Sequence, residues 1–118
     1  MAPPEVNVTN RGFLRIKAKY ESYGSEISDI QSKGFAAITS STDRNLFRGM
    51  FATLEKLYEK FNDKWDEAVE YADTHEITPT FPSAADEAYF DRIKACYYNA
   101  HGYHIQVMAN LNRSSTLP

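Results

Sequence analysis

His101 and His104 stand three residues apart, with Cys96 five positions before the first of them, so two imidazoles and a thiol fall within three helical turns. Histidines at that spacing share a helix face, the minimum arrangement from which a zinc site is assembled. The set stops at three ligands, and the Glu-x-x-His pairs that dinuclear helical bundles draw on occur nowhere in the chain. No metal and no cofactor is therefore expected. His75 stands apart, next to Thr74 and Glu76, where an imidazole suits the carbonyls at a helix end better than a substrate.

A second constellation is acidic. Glu55, Glu59, Asp63 and Glu67 recur every four residues, a spacing that aligns carboxylates for acid–base work only if a concave, partly dry site separates their pKa values. Lys56, Lys60 and Lys64 run beside them and reach Glu59, Asp63 and Glu67 at i+3, the pattern of a solvated helix face. Cys96 sits between Ile93 and Ala100 on an apolar stripe, whereas a nucleophilic thiol needs an exposed, electropositive setting, so it reads as a small core residue. No catalytic residues emerge, and the expectation is a protein that is not an enzyme.

The elements that must carry these side chains follow from punctuation and period. Prolines occur at 3, 4, 79, 82 and 118 only, leaving two blocks uninterrupted for helix. After Thr9, a candidate N-cap, Phe13, Ile16, Tyr20, Tyr23, Ile27, Ile30, Gly34 and Ala37 alternate by three and four, which predicts a helix over 10–37 that loosens near Gly34. Ser40, Ser41, Thr42 and Asp43 mark a break and restart. Phe47, Phe51, Leu54, Tyr58, Phe61, Trp65, Ala68 and Ala72 then predict one continuous helix over 43–74, and its wide apolar stripe makes it the expected central element. Thr78-Pro79-Thr80-Phe81-Pro82 ends it. Ser83, with Asp86 in the first turn, caps a third helix over 83–112 whose seam is Tyr89, Ile93, Cys96, Ala100, Tyr103, Val107 and Leu111.

A short first link forces the first two helices into a long antiparallel hairpin, and the third folds back along it into an all-α three-helix bundle. Residues 1–9 are expected as a flexible arm and 113–118 as a frayed tail. The expected core is Phe47, Phe51, Leu54, Phe61, Trp65, Tyr89 and Ile93. Charge supports the hairpin: the chain is net +1 through residue 42 and −4 from 43 onward, with basic residues opening the first helix and acidic ones closing the second.

Composition narrows the function classes. The 118 residues carry 13 Lys plus Arg against 16 Asp plus Glu, so bulk nucleic-acid binding is disfavoured, and Arg11, Arg15, Lys17 and Lys19 offer at most a weak, salt-sensitive contact. One cysteine excludes an internal disulfide framework and fits a reducing compartment. No apolar run reaches the ~20 residues of a membrane span. Met1-Ala2-Pro3-Pro4-Glu5 has neither a signal-peptide nor a myristoylation pattern, so a cytoplasmic location is expected. The rings exceed what one narrow seam can bury. Phe90, Tyr97 and Tyr98 are the expected outward cluster, a protein interface on the third helix.

Three features coincide over residues 11 to 111: the basic opening at Arg11, Arg15 and Lys17, the series Leu54, Leu57, Phe61 and Trp65, and the run Asp86-Glu87-Ala88-Tyr89-Phe90. With them the chain resembles the N-terminal helical region of Gag-type polyproteins of Bel/Pao LTR retrotransposons. No zinc-knuckle, protease or reverse-transcriptase motif accompanies it, so on this resemblance the chain is expected to be only a fragment or a stand-alone derivative. The resemblance implies a non-enzymatic helical module that joins copies of itself or other proteins. A free-standing helical adaptor shares every one of these features, and a carrier of a small apolar ligand is the third class; that class needs a cavity of ~300 Å³ or more.

Overall fold

The computed structural model describes the backbone of residues 8–116 and the side chains of residues 11–112. Its elements are α1 (Val8–Thr39), α2 (Ser41–Phe51), α3 (Leu54–His75) and α4 (Ala84–Thr116), with no strand among the described residues. The all-helical reading is what the structure shows. Helix boundaries lie further out than the periodicity placed them: Val8 and Thr9 already belong to α1, and α4 runs on to Thr116. The rest of the expected arm, 1–7, and the last two residues of the expected tail lie outside the described residues.

The helix predicted over 43–74 is two helices, because Thr53 interrupts its hydrogen-bond ladder. The Thr53 hydroxyl donates to the Met50 carbonyl at 2.7 Å and its N–H reaches the same oxygen at 3.0 Å, so the acceptor that Leu54 needs for an i→i−4 bond is already taken. The ladder resumes where the Leu57 N–H bonds the Thr53 carbonyl.

Only Ser40, in an extended conformation, separates α1 from α2. So tight a turn strands the last carbonyls of α1. Arg44 recovers two of them, with Nε to Ala37 O at 3.2 Å and Nη2 to Ile38 O at 3.4 Å, while Lys33 pairs with Asp43 at 3.3 Å across the same corner. The α3–α4 link opens on Glu76 in the left-handed region (φ 50°), where the N–H groups of Glu76 and Ile77 both turn back to Ala72 O and Ile77 is buried. Ser83 then caps α4 reciprocally: the Asp86 N–H reaches Ser83 Oγ at 3.1 Å, and the Ser83 N–H donates to the Asp86 carboxylate at 2.8 Å.

Contacts fix the directions. Along α1, position 12 faces Tyr71, Tyr20 faces Trp65, Tyr23 lies under Lys60, and Lys33 meets Asp43, so α2 and α3 run antiparallel to α1. Tyr20 also meets Tyr89, Gly34 meets Tyr103, and Ile38 O accepts from Asn110, so α4 runs parallel to it.

The central element is α1, not the second helix. Its backbone lies close to α2, α3 and α4, whereas α3 and α4 meet chiefly through side chains. Glycine placement is the reason: Gly24 and Gly34 are buried, and a Cβ at Gly34 would stand 2.7 Å from the Phe47 ring and 3.1 Å from Tyr103 Cβ. Gly24 rather than Tyr23 occupies the buried seam position, and Tyr23 is half-buried beneath the Lys60 ammonium.

Burial follows the seams closely. Phe47, Leu54, Phe61, Trp65 and Ile93 are buried, while Phe51 and Tyr89 are half-buried and pack against them. Around Tyr20 the rings of Phe61, Trp65, Phe81 and Tyr89 close one end of the molecule, with centroids 5.1–6.3 Å apart. Burial, then Asp86 and Glu21, push the Tyr20 hydroxyl well above the usual tyrosine range. The expected salt links between the start of α1 and the end of α3 are absent among the described residues, where the lysine–carboxylate pairs are Lys33–Asp43 and Lys64–Glu67, and Glu55 meets the His101 imidazole.

Candidate functional site

Of the polar residues singled out by type, Glu55, His101 and His104 meet at the junction of α2, α3 and α4, just past the Thr53 break. Glu55, on the first turn of α3, accepts the Tyr97 hydroxyl at 2.7 and 2.9 Å on its two oxygens. Its Oε1 also lies 2.8 Å from His101 Nε2. An ionised carboxylate can only accept, so Nε2 carries the proton in this contact. Burial and then the Glu55 carboxylate push the Tyr97 hydroxyl up to about 12. Beneath this cluster the Tyr97 ring stacks on Tyr58 at 3.8 Å and His104 stacks on Phe51 at 3.9 Å, within 3° of parallel.

Chemically, the cluster is a staple between α3 and α4. The Glu55 side chain is 69% exposed and that of His101 37%, so water screens the contact between them. Cys96 is buried on the inward seam of α4, His101 turns to Glu55 and His104 lies flat on Phe51, so the three candidate ligands have separate surroundings. Among the described residues no group of three or more His, Cys, Asp or Glu side chains converges. His75 Nδ1 lies 3.0 Å from Tyr71 O, the helix-end contact its position suggested. Of the lysine–carboxylate column, Lys64 meets Glu67 at 2.9 Å, Glu55 leaves it for α4, and Lys60 turns to Tyr23.

His104 has a displaced proton affinity. Burial, then Arg48 on α2 and His101 on its own helix, hold it below its ordinary 6.5. The unfolded chain therefore binds this proton more readily than the folded one, so the contribution of His104 to stability is full above pH 6.5 and is lost as pH falls below it. Urea unfolding from pH 7.5 to 5 should show wild type losing stability relative to His104→Phe, which keeps the stack on Phe51 without the titration. Parallel curves for the two proteins overturn this.

The three residues expected to face outward divide. The Phe90 ring packs on Trp65 at 4.8 Å and Phe61 at 5.6 Å, and Tyr97 lies on Tyr58, so both are turned onto α3. The cause is that α4 packs against both α1 and α3, which widens its inward side to include the Phe90 and Tyr97 positions. Tyr98 alone of the three is exposed, at 58%, its ring edge-on to Tyr97 at 5.0 Å. Ile105 is 70% exposed and was not singled out from the sequence. The signal for it was available: no Asp, Glu, Lys or Arg occurs from Ala95 to Asn112, eighteen residues in a chain that is 25% charged.

Surface grooves with apolar walls are further candidates. One, of about 460 Å³, lies between α1 and the α2–α3 break, with Ile30, Leu46, Met50 and Leu57 as its apolar wall and Glu26 and Asp29 on the rim. Another, about 410 Å³, is formed by the α3–α4 link against Phe13 and Leu14. Among the described residues no helix is long and apolar enough to cross a membrane. No family model, curated protein or solved structure matches the chain.

Proposed function

We propose that this chain is a non-enzymatic helical module for protein interaction and self-association, a long antiparallel hairpin and a third helix acting as a three-helix bundle whose second arm is broken at Thr53. The observation that carries the reading is the outward face of α4, where Tyr98 and Ile105 stand in solvent within an uncharged run of eighteen residues. Exposed large apolar side chains in such a setting are what an association surface presents. The resemblance to the N-terminal helical region of Bel/Pao Gag-type polyproteins supports the same reading, in which the partner is another copy of the chain. The polar residues support it too, since the Glu55–Tyr97–His101 cluster ties α4 to α3 beside that face.

Light scattering after size exclusion, run from micromolar to millimolar protein, tests it. The expected result is a mass above the 13.5 kDa of one chain that rises with concentration. A mass that stays at 13.5 kDa over the whole range removes self-association from the reading.

A further inference from the structure

Resting on that reading, we infer that the partner is a second copy of this chain, docked α4 against α4 in antiparallel fashion with the two-fold axis at Gly102. The inward seam of α4, which includes Ile93, Cys96, Ala100 and Val107, is buried against the rest of the molecule. At 100° per residue, Ala95, Tyr98, Gly102, Ile105 and Ala109 fall about 170° round the helix from that seam. All five are exposed, and their spacings of three and four make a second seam, parallel to the first and covered by nothing in the monomer.

Three observations select a second copy as the occupant. The first is shape. The pattern outward from Gly102 is its own complement: an alanine lies seven residues away on either side, with Tyr98 four before and Ile105 three after. An antiparallel crossing at Gly102 therefore sets Tyr98 of each copy beside Ile105 of the other, and Ala95 beside Ala109. A Cβ at Gly102 would meet nothing within 4 Å, so the backbone is bare where two helices must approach most closely.

The second observation is charge. An antiparallel two-fold contact centred on Gly102 opposes each residue to the one equally far beyond the axis, and with no Asp, Glu, Lys or Arg from 95 to 112 no like formal charges meet along the crossing. Parallel docking would bring Asp91 against Asp91, whereas the antiparallel register separates those two carboxylates by about 33 Å along the axis. It sets Asp91 level with position 113, an arginine in the sequence.

The third is area. Covering the exposed parts of Tyr98 and Ile105 in both copies removes on the order of 500 Å² of apolar surface. With the glycine and alanine backbone the crossing approaches roughly 1,000 Å², the lower limit of specific interfaces, so the dimer is expected to be reversible and in the micromolar range.

Sedimentation equilibrium combined with cysteine cross-linking tests the inference on the full chain. Ile105→Asp and Tyr98→Ser lie on an exposed face, so both should keep wild-type circular dichroism while weakening association at least tenfold. Gly102→Cys places a thiol on the axis and should form a covalent dimer on oxidation. Ala95→Cys alone should not, because its symmetry mate lies about 21 Å away along the axis. An equimolar mixture of Ala95→Cys and Ala109→Cys should cross-link. Wild type, whose Cys96 is buried, is the control. A dimer that survives Ile105→Asp and gives no Gly102→Cys cross-link overturns the α4 crossing while leaving self-association intact. Self-linking of Ala95→Cys overturns the antiparallel register. A wild type that stays monomeric at all concentrations removes both the crossing and the self-association on which it rests.

Discussion

Replacing Trp65 by alanine is expected to lower the unfolding free energy by about 3–5 kcal/mol, the range for removing a buried large ring. Trp65 is 8% exposed, and its indole sits 4.8 Å from Phe90, 5.1 Å from Tyr20 and 5.1 Å from Phe81. Those three rings belong to α4, to α1 and to the α3–α4 link, so one side chain on α3 touches every other part of that end of the molecule. Phe61, also on α3, lies 6.5 Å away and completes the cluster. Large rings cannot close over so big a void without leaving their rotamers, so much of the cavity persists. With an unfolding entropy of roughly 2.1 cal/mol/K per residue, each kcal/mol moves the melting temperature of a chain this size by about 4 °C, so a drop of roughly 12–20 °C is expected. Thermal melts of wild type and Trp65→Ala read this directly, and Trp65→Phe, which keeps part of the ring stack, should fall between them. An unchanged midpoint would mean that the indole contributes nothing to the core.

Much of that cluster is legible in the sequence alone, and the parts that are not share a physical cause. Phe61, Trp65 and Ile93 stand out because local period reports which side of a helix is apolar, and the Ser83–Asp86 cap because its partners are three residues apart. Period says nothing about how many neighbours a helix has. Period therefore places Phe90 and Tyr97 on an outward face, although α4 leans on two helices at once and their rings fill the layer between α3 and α4. Gly24 and Gly34 read as weak points in a helix because propensity is a local quantity. What makes them useful is a neighbour's ring at close range, which depends on residues as distant as Tyr89 and Tyr103. The Glu55–Tyr97–His101 staple spans 42 and 46 positions, beyond any spacing rule. The break at Thr53 turns on one hydroxyl bonding backward, in a segment whose apolar period runs through uninterrupted.

Gly34→Val is expected to destabilise the protein by about 2–3 kcal/mol, the upper part of the range for overpacking a core, while Gly49→Ala is expected to stabilise it by up to ~1 kcal/mol. Both glycines lie inside helices, so propensity alone predicts a gain from each change to alanine. Surroundings decide the sign. At Gly34 an added Cβ would stand 2.7 and 2.8 Å from two carbons of the Phe47 ring and 3.1 Å from Tyr103 Cβ. Phe47 is fully buried, and a Cβ moves only with its backbone, so neither neighbour can yield without shifting α2 or α4. Gly34→Ala should therefore already cost about 1 kcal/mol net of its propensity gain, and the two γ-methyls of valine add to that. At Gly49, exposed on α2, a Cβ meets nothing within 4 Å, so only the loss of unfolded-state freedom remains and stability rises. Urea unfolding of Gly34→Ala, Gly34→Val and Gly49→Ala beside wild type measures all three. A Gly34→Ala protein as stable as Gly49→Ala would show that α1 does not depend on a bare backbone at residue 34 for its place at the centre of the fold.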